Sequence, residues 1–434
     1  MKYSAFIKEK LVSLINEMDQ YHWLFTRNAE KDFSRIKKWS FSEIMRFIIS
    51  MEGKSLKDEL LEHFNFSVDT PTNSSFNQRR AQILPEAFEF LFREFTAVAS
   101  GEKLFRGYRL LACDGSDLCI AHNPQDETTY FQSTPDSKGF NQMHLNALYD
   151  LLSRTYVDAI IQPARQENEN GAMCDMIDRY PGHSKTLFIA DRGYENYNLM
   201  AHLINNDWKF LIRVKDKHSN GIASTLKLDL KDEFDKDVSI TFTRKQTKAK
   251  RNSGYKFMPT NQRFDYLPLK SDDTYTINFR IARFPIGENS YEMVVTNLDR
   301  FNFPVASLKD IYHLRWGIET SFRELKYSIG LTSFHAKKVD YIKQEIFARL
   351  TLYNYCELIT SHVVEQMEDK NNTKQVNFTI AIYICREFLR HKKQLSPPDV
   401  IKLIKKYILP VRLGRKDPRK VKPQSAVSFL YRVA

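Results

Sequence analysis

Apolar residues recur at three- and four-residue steps through the first hundred positions, in FSEIMRFIISMEG, SLKDELLEHF and LPEAFEFLFREFTAVAS. That spacing predicts a helical N-terminal region. Within it, SVDTPTNSSFNQRRAQI sets a proline-marked turn before a short helix carrying Asn77, Gln78, Arg79 and Arg80. Such a helix either enters a DNA groove, with its amide and guanidinium groups on base edges, or is a polar face of an ordinary bundle. From about Tyr108 the pattern shortens. YRLLACDGSDL, MHLNALYDLL and TYVDAIIQP are apolar or alternating runs between turns, hence strands. ENGAMCDMIDRY and NYNLMAHLINN read as helices, KTLFIADRGY and WKFLIRVK as further strands. That order predicts an α/β fold, a mixed sheet with flanking helices. VSITFT, YTINFRIARF and YEMVVTNL then alternate within about 216–300, as expected of an inserted antiparallel β region. The chain returns to helix through QEIFARLTLYNYCELITSHVVEQM and FTIAIYICREFLRHKK. The divisions expected are a helical region over 1–105, a catalytic domain over 106–340, and a helical region with a basic tail over 341–434.

One stretch stands out, Ser307 to Leu331 (SLKDIYHLRWGIETSFRELKYSIGL). Wound as a single 3.6-residue helix, it gathers Tyr312, Arg315, Glu319, Arg323 and Lys326 into a polar stripe. Ile311, Leu314, Ile318, Phe322, Leu325 and Ile329 fall on the other side. Ser307 with Asp310 looks like a capping start and Gly330 like a stop. The stripe is either a solvated face of i,i+4 ion pairs or a set of ligands and cations for chemistry.

Charge narrows the partners. Lys and Arg number 65 against 53 acidic residues, a net +12, which suits a polyanion without requiring one. The segment Arg244–Arg251 is basic, and 401–423 carries Lys402, Lys405, Lys406, Arg412, Arg415, Lys416, Arg419, Lys420 and Lys422 against Asp417. Each is either a solvated segment or a contact to a nucleic-acid backbone. The five cysteines lack C-x-x-C spacing, so reduced thiols and no cysteine zinc site are expected. The N-terminus lacks the unbroken apolar core of a signal peptide, and no run is long enough to span a membrane. A cytoplasmic, nucleoid-associated location is therefore expected.

Two carboxylates sit where apolar strands run into polar sequence: Asp114 after LLAC, before Gly-Ser, and Asp191 after TLFIA, before Arg-Gly-Tyr. Alone, each is an ordinary turn residue. Together with Tyr312, Arg315, Glu319 and Lys326, which satisfy Y-x2-R-x3-E-x6-K, they resemble the DDE transposases of the bacterial insertion-sequence-four family. The resemblance covers roughly Tyr108 to Leu331. It implies an RNase H-like fold in which Asp114, Asp191 and Glu319 are the catalytic residues and hold Mg²⁺, for which Mn²⁺ can substitute. Hard divalent cations take oxygen ligands, and a pair of them can activate the attacking oxygen and stabilise the leaving one. It further implies that Tyr312, Arg315 and Lys326 contact DNA, with Arg192 and Arg323 as additional candidates beside Arg79 and Arg80. Many relatives have Trp ahead of the last inserted strand; here Tyr291 holds a candidate position for stacking on a base. The implied protein binds the terminal inverted repeats of its element as a homodimer, cuts the ends and joins them to target DNA. A metal-dependent nuclease without strand transfer and an inactive DNA-binding descendant are the alternatives.

Overall fold

Helix α1 (Tyr3–Gln20) buries Ile7, Leu11, Ile15 and Met18, one apolar stripe at helical spacing. Side chains then fix the starts of the next helices by accepting from free backbone N–H groups. Ser40 forms a capping box with Glu43 at α2 (Phe41–Ser50), Ser55 caps α3 (Leu56–His63), and Thr72 caps α4 (Asn73–Arg80). Helix α5 (Pro85–Ala99) follows. The computed structural model describes residues 2–35, 38–99, 101–226, 228, 232–288, 290–367, 374–391 and 398–410. The basic tail beyond residue 410 therefore lies outside the described residues, whereas Lys402, Lys405 and Lys406 do not.

The sheet begins with β1 (Arg109–Ile120), β2 (Tyr130–Phe131), β3 (Phe140–Asp150) and β4 (Thr155–Pro163). Helix α6 (Glu169–Asp178), β5 (Thr186–Ala190), α7 (Tyr197–Asn205) and β6 (Lys209–Val214) alternate after it. β1, β3 and β4 are antiparallel neighbours, while β5 runs parallel to β1 and β6 parallel to β5. This is the mixed, RNase H-like arrangement expected. The segment that follows supplies β7 (Phe234–Thr243), α8 (Lys248–Asn252), β8 (Lys256–Phe257), β9 (Thr274–Gly287) and β10 (Ser290–Thr296). Its main strands are antiparallel as expected, but they form no sheet of their own. β10 pairs with β6 from Met293↔Val214 to Thr296↔Leu211, so the order runs β2-β3-β1-β5-β6-β10-β9-β7-β8. Pairing satisfies an edge of β6 that would otherwise expose a row of backbone donors and acceptors.

Alternation along the strands divides the two faces. Leu111, Cys113 and Phe188 pack on one side with residues of α6 and α7, including Met173, Met176, Leu199 and Met200. Leu110, Ala112, Leu187 and Ile189 face the other side. There lie α9 (Val305–His313), α10 (Trp316–Arg323), a π-helical turn over Glu324–Ile329, and α11 (Val339–Glu365). Helix α12 (Phe378–Arg390) and α13 (Val400–Lys406) complete the chain's described helices.

The helices before and after the sheet share one apolar core. Phe88, Leu91, Phe92 and Phe95 of α5 belong to the same cluster as Ile346, Leu350 and Tyr353 of α11, together with Ile7 and Leu11 of α1. Helix α11 is buried around most of its circumference. The five cysteines are free. Among the described residues no helix is long and apolar enough to cross a membrane.

Candidate active site

Asp114 lies in the middle of β1, not at its end, because β3 pairs with β1 as far as Ile120↔Asn141. What ends near Asp114 is the other neighbour. The parallel register with β5 stops at Ala112↔Ile189, two residues before Asp114 and before Asp191. Continuing that register sets the two aspartates side by side at the mouth where the strands part. Asp191 caps the turn after β5, with its Oδ1 accepting from Gly193 N at 2.8 Å. Asp114 Oδ1 accepts from Gly115 N at 3.0 Å. Asp114 shares the strand face of Leu110 and Ala112, so it points toward α9 and α10.

The signature stretch is not one regular helix. It starts at Val305 with Pro304 as N-cap, two residues ahead of Ser307, and the proposed serine cap is not formed. At the α9–α10 junction the bonds tighten to i→i+3: Arg315 N donates to Tyr312 O at 3.0 Å and Ile318 N to Arg315 O at 3.1 Å. Further on, the chain loosens into the π turn over Glu324–Ile329, which carries Lys326. Gly330 ends it at φ 96°, as the sequence predicts. Over-winding and then under-winding changes which residues share a face. Tyr312 leaves the expected polar stripe and is buried with Ile311, Leu308 and Leu187, its hydroxyl without a hydrogen-bond partner.

Arg315 ties the helix to the sheet. Its guanidinium bonds Glu319 within the stretch and lies 4.0 Å from Asp114 Oδ2, and only 6% of the residue is exposed. Glu319 and Asp114 are thereby brought to one cation. Burial pushes Asp114 up to about 6; Arg315 and the Gly115 N–H oppose this, and Asp191 and Glu319 add to it. A carboxylate that neighbouring carboxylates make harder to ionise is short of positive charge. Arg315 is the counter-charge present, and oxygen donors converging from two parting strands and a helix suit a hard divalent cation. Lys326 reaches the same edge from the π turn: its Nζ donates to Asp117 O at 2.9 Å, and burial lowers its pKa.

The remaining candidates divide. Arg192 is exposed immediately after Asp191 and lines two adjoining grooves of about 580 and 520 Å³. Tyr291 lines the second, its ring 3.9 Å beneath the Arg283 guanidinium, which Asp216 holds at 3.0 Å through both oxygens. Arg323 is exposed on α10. Arg79 and Arg80 overturn the groove-reading expectation. Arg79 donates to Trp39 O at 2.9 Å. Arg80, 1% exposed, pairs with Glu345 at 2.9 Å and donates to Gln344 Oε1 and Tyr341 O. Both guanidinium groups are structural ties, because a buried cation needs partners that only the interior supplies. Of the four polar candidates on that helix, only Asn77 and Gln78 face solvent. Sequence reasoning missed Arg213, Lys215 and Lys256, which line the grooves beside Asp191. The signal available was a basic residue at the end of β6 and another after a glycine turn.

A family model described as "Transposase DDE domain" matches residues 105–355. Among solved structures, the chain is similar to one titled "Cryo-EM structure of piggyBac transposase synaptic complex with hairpin DNA (SNHP)". The TM-score is 0.47 at 9% identity, over 95% of this chain and 87% of that one. A comparison with curated proteins returns no match.

Proposed function

The chain belongs to the family of the transposase DDE domain and is a DNA transposase, and from that premise we propose that Asp114, Asp191 and Glu319 are its catalytic residues. The observation that carries this reading is their convergence: two aspartates where β1 and β5 part, and a glutamate held to the first of them through Arg315. These carboxylates would hold Mg²⁺, or Mn²⁺ in its place. Bound there, the metal supplies activation of the attacking oxygen and stabilisation of the leaving 3′ oxygen.

The chain's own residues do the rest. Arg315 and Lys326 flank Glu319 and present a planar fork and a point charge to the phosphates of a DNA end. Arg315 bonds Glu319, while its Nε–H has no hydrogen-bond partner and would be a donor for the strand. The Tyr312 hydroxyl is buried behind it without a hydrogen-bond partner and would donate to a phosphate oxygen. Arg192, next to Asp191, and Arg323, four residues beyond Glu319, add exposed charge. Tyr291, ordered beneath Arg283 in the groove shared with Arg192, would stack on a base displaced near the cut. The partners would be the terminal inverted repeats of an insertion sequence of the YREK type and its target DNA, engaged by a homodimer.

Asp114→Asn, Asp191→Asn and Glu319→Gln should each abolish cleavage of end-containing duplexes in Mg²⁺ while leaving end binding largely intact. More than a few per cent of wild-type cleavage in any of them removes that residue from the set. Joining of pre-cleaved 3′-OH ends to supercoiled plasmid distinguishes a transposase reaction from simple hydrolysis. Cleavage without joining would favour the nuclease reading.

A further inference from the structure

Three residues beyond Asp114 and on the opposite face of β1, a second group of potential ligands gathers around a buried histidine. β1 and β3 pair Asp117 with His144. His144 Nδ1 lies 2.8 Å from Asp117 Oδ1 and 3.3 Å from Glu167 Oε2. Its Nε2 lies 3.1 Å from Glu169 Oε1 but forms no well-directed hydrogen bond. The histidine side chain is only 7% exposed, while Asp117 and Glu167 are 47% and 50% exposed, which leaves an approach from solvent.

We propose that Asp117, His144 and Glu167 bind one divalent first-row transition-metal ion, with Zn²⁺ or Mn²⁺ as the fitting class, and that Glu169 orients the imidazole. One nitrogen and two carboxylate oxygens suit a borderline ion better than Mg²⁺, which prefers oxygen and water. The three ligand atoms lie within 4.8 Å of one another. Ligands at ~2.0–2.2 Å from a tetrahedral ion stand ~3.3–3.6 Å apart, so the 2.8 Å Asp117–His144 pair must open slightly by side-chain rotation while the 3.3 Å Glu167–His144 pair already fits. The placement of Glu169 is the second feature. A metal-bound histidine ordinarily gives its other N–H to a carboxylate, and Nε2 faces one.

The backbone keeps room for this arrangement. A Cβ at Gly115 would meet Glu169 Oε1 at 2.2 Å and His144 Nε2 at 2.5 Å, so only glycine lets histidine and glutamate approach β1 here. An ion on Nδ1 would bind the ring lone pair there and leave Nε2–H facing Glu169. It would also pin Asp117, whose carbonyl receives Lys326, and so brace the part of β1 that has lost its parallel neighbour.

The test uses Co²⁺ as a spectroscopic probe on the full chain after chelation and removal of chelator. Visible ligand-field absorption should titrate with one Co²⁺ per chain. It should survive in Asp114→Asn/Glu319→Gln and vanish in Glu167→Gln, an exposed substitution, and in His144→Asn. Glu169→Gln should weaken binding ~10–100-fold, as loss of an orienting partner does. Zn²⁺ should compete the absorption away. Absorption unchanged in both Glu167→Gln and His144→Asn, or lost in Asp114→Asn/Glu319→Gln, overturns the proposal. Absence of any uptake with the His144 ring resonances unmoved by Zn²⁺ also overturns it, leaving a plain imidazolium among carboxylates.

Discussion

Replacing Arg80 by alanine separates a structural tie from a DNA-reading residue. Arg80 donates to Glu345 Oε1 at 2.9 Å, Gln344 Oε1 at 2.7 Å and Tyr341 O at 2.6 Å, and both charged side chains are 1% exposed. Truncation strands Glu345 in the interior, and breaking a buried pair in this way costs ~3–5 kcal/mol. The carboxylate gives a second measure. Burial acts to raise Glu345, but Arg80 and His335 overcome it and hold the group at about 2, against an ordinary 4.5. At 1.36 kcal/mol per pH unit that interval corresponds to ~3 kcal/mol, within the same range. The sign follows from the depressed value: the stabilisation is present above pH 4.5 and is lost as pH falls through about 2. Urea unfolding of Arg80→Ala at pH 7 should therefore show a loss of ~3–5 kcal/mol, with a smaller difference from wild type at pH 3. Gln78→Ala, two residues earlier and exposed, should lie within ~0.5 kcal/mol of wild type. An Arg80→Ala protein with an unchanged midpoint but weakened, less selective DNA binding would refute the reasoning and restore the groove-reading role.

Lys326→Ala should weaken binding to a cognate end and reduce the slope of log K against log[salt] by ~0.9, the mark of one phosphate contact, measured by fluorescence anisotropy. An unchanged slope returns Lys326 to the purely structural contact with Asp117. Tyr291→Ala should slow the steps after first-strand nicking more than nicking itself, with Tyr291→Trp retaining activity, as followed on denaturing gels. Equal rates at all steps would remove the base-stacking role. Glu357→Gln addresses a buried carboxylate that burial raises to about 7, with Arg154 opposing and Glu324 adding to the effect. A raised carboxylate favours the fold most below pH 4.5 and loses that contribution as pH rises through 7. At pH 8 the ionised carboxylate also pairs with Arg154 at 2.7 Å, so Glu357→Gln, which removes the buried charge together with that pair, should cost less stability at pH 8 than Arg154→Ala, which strands the carboxylate, by thermal unfolding.

Much of the site was legible because its carboxylates sit at boundaries that local patterning marks. Asp191 follows an unbroken apolar run, TLFIA, and β5 ends there. Asp114 follows the apolar run LLAC, and the polar Gly-Ser-Asp after it reads as the end of the strand. It remains strand because β3 pairs across it, a tertiary fact with no local signal. The signature stretch was recognisable by residue spacing, yet a constant 3.6-residue period hid the tight turn at Arg315 and the π turn at Lys326. Hence Tyr312 was assigned to a polar stripe and is buried instead. Arg79 and Arg80 misled for a different reason. The groups that take up Arg80 lie on α11, more than 260 residues along the chain, so nothing near Arg80 announces them.

The core shared by α5 and α11 also sets an order of events during synthesis. Phe88, Leu91, Phe92 and Phe95 cannot be covered by Ile346 and Leu350 until the intervening 105–340 has left the ribosome. At ~5–20 residues per second this delay is roughly 10–50 s. Throughout it the first helices present an apolar surface with no final partner, while the central strands arrive in an order that pairs β1 with β3 before β5 exists. The protein's most aggregation-exposed species is therefore a nascent one, and truncation within α11 should yield insoluble chains even though every residue of the DDE set has already been made.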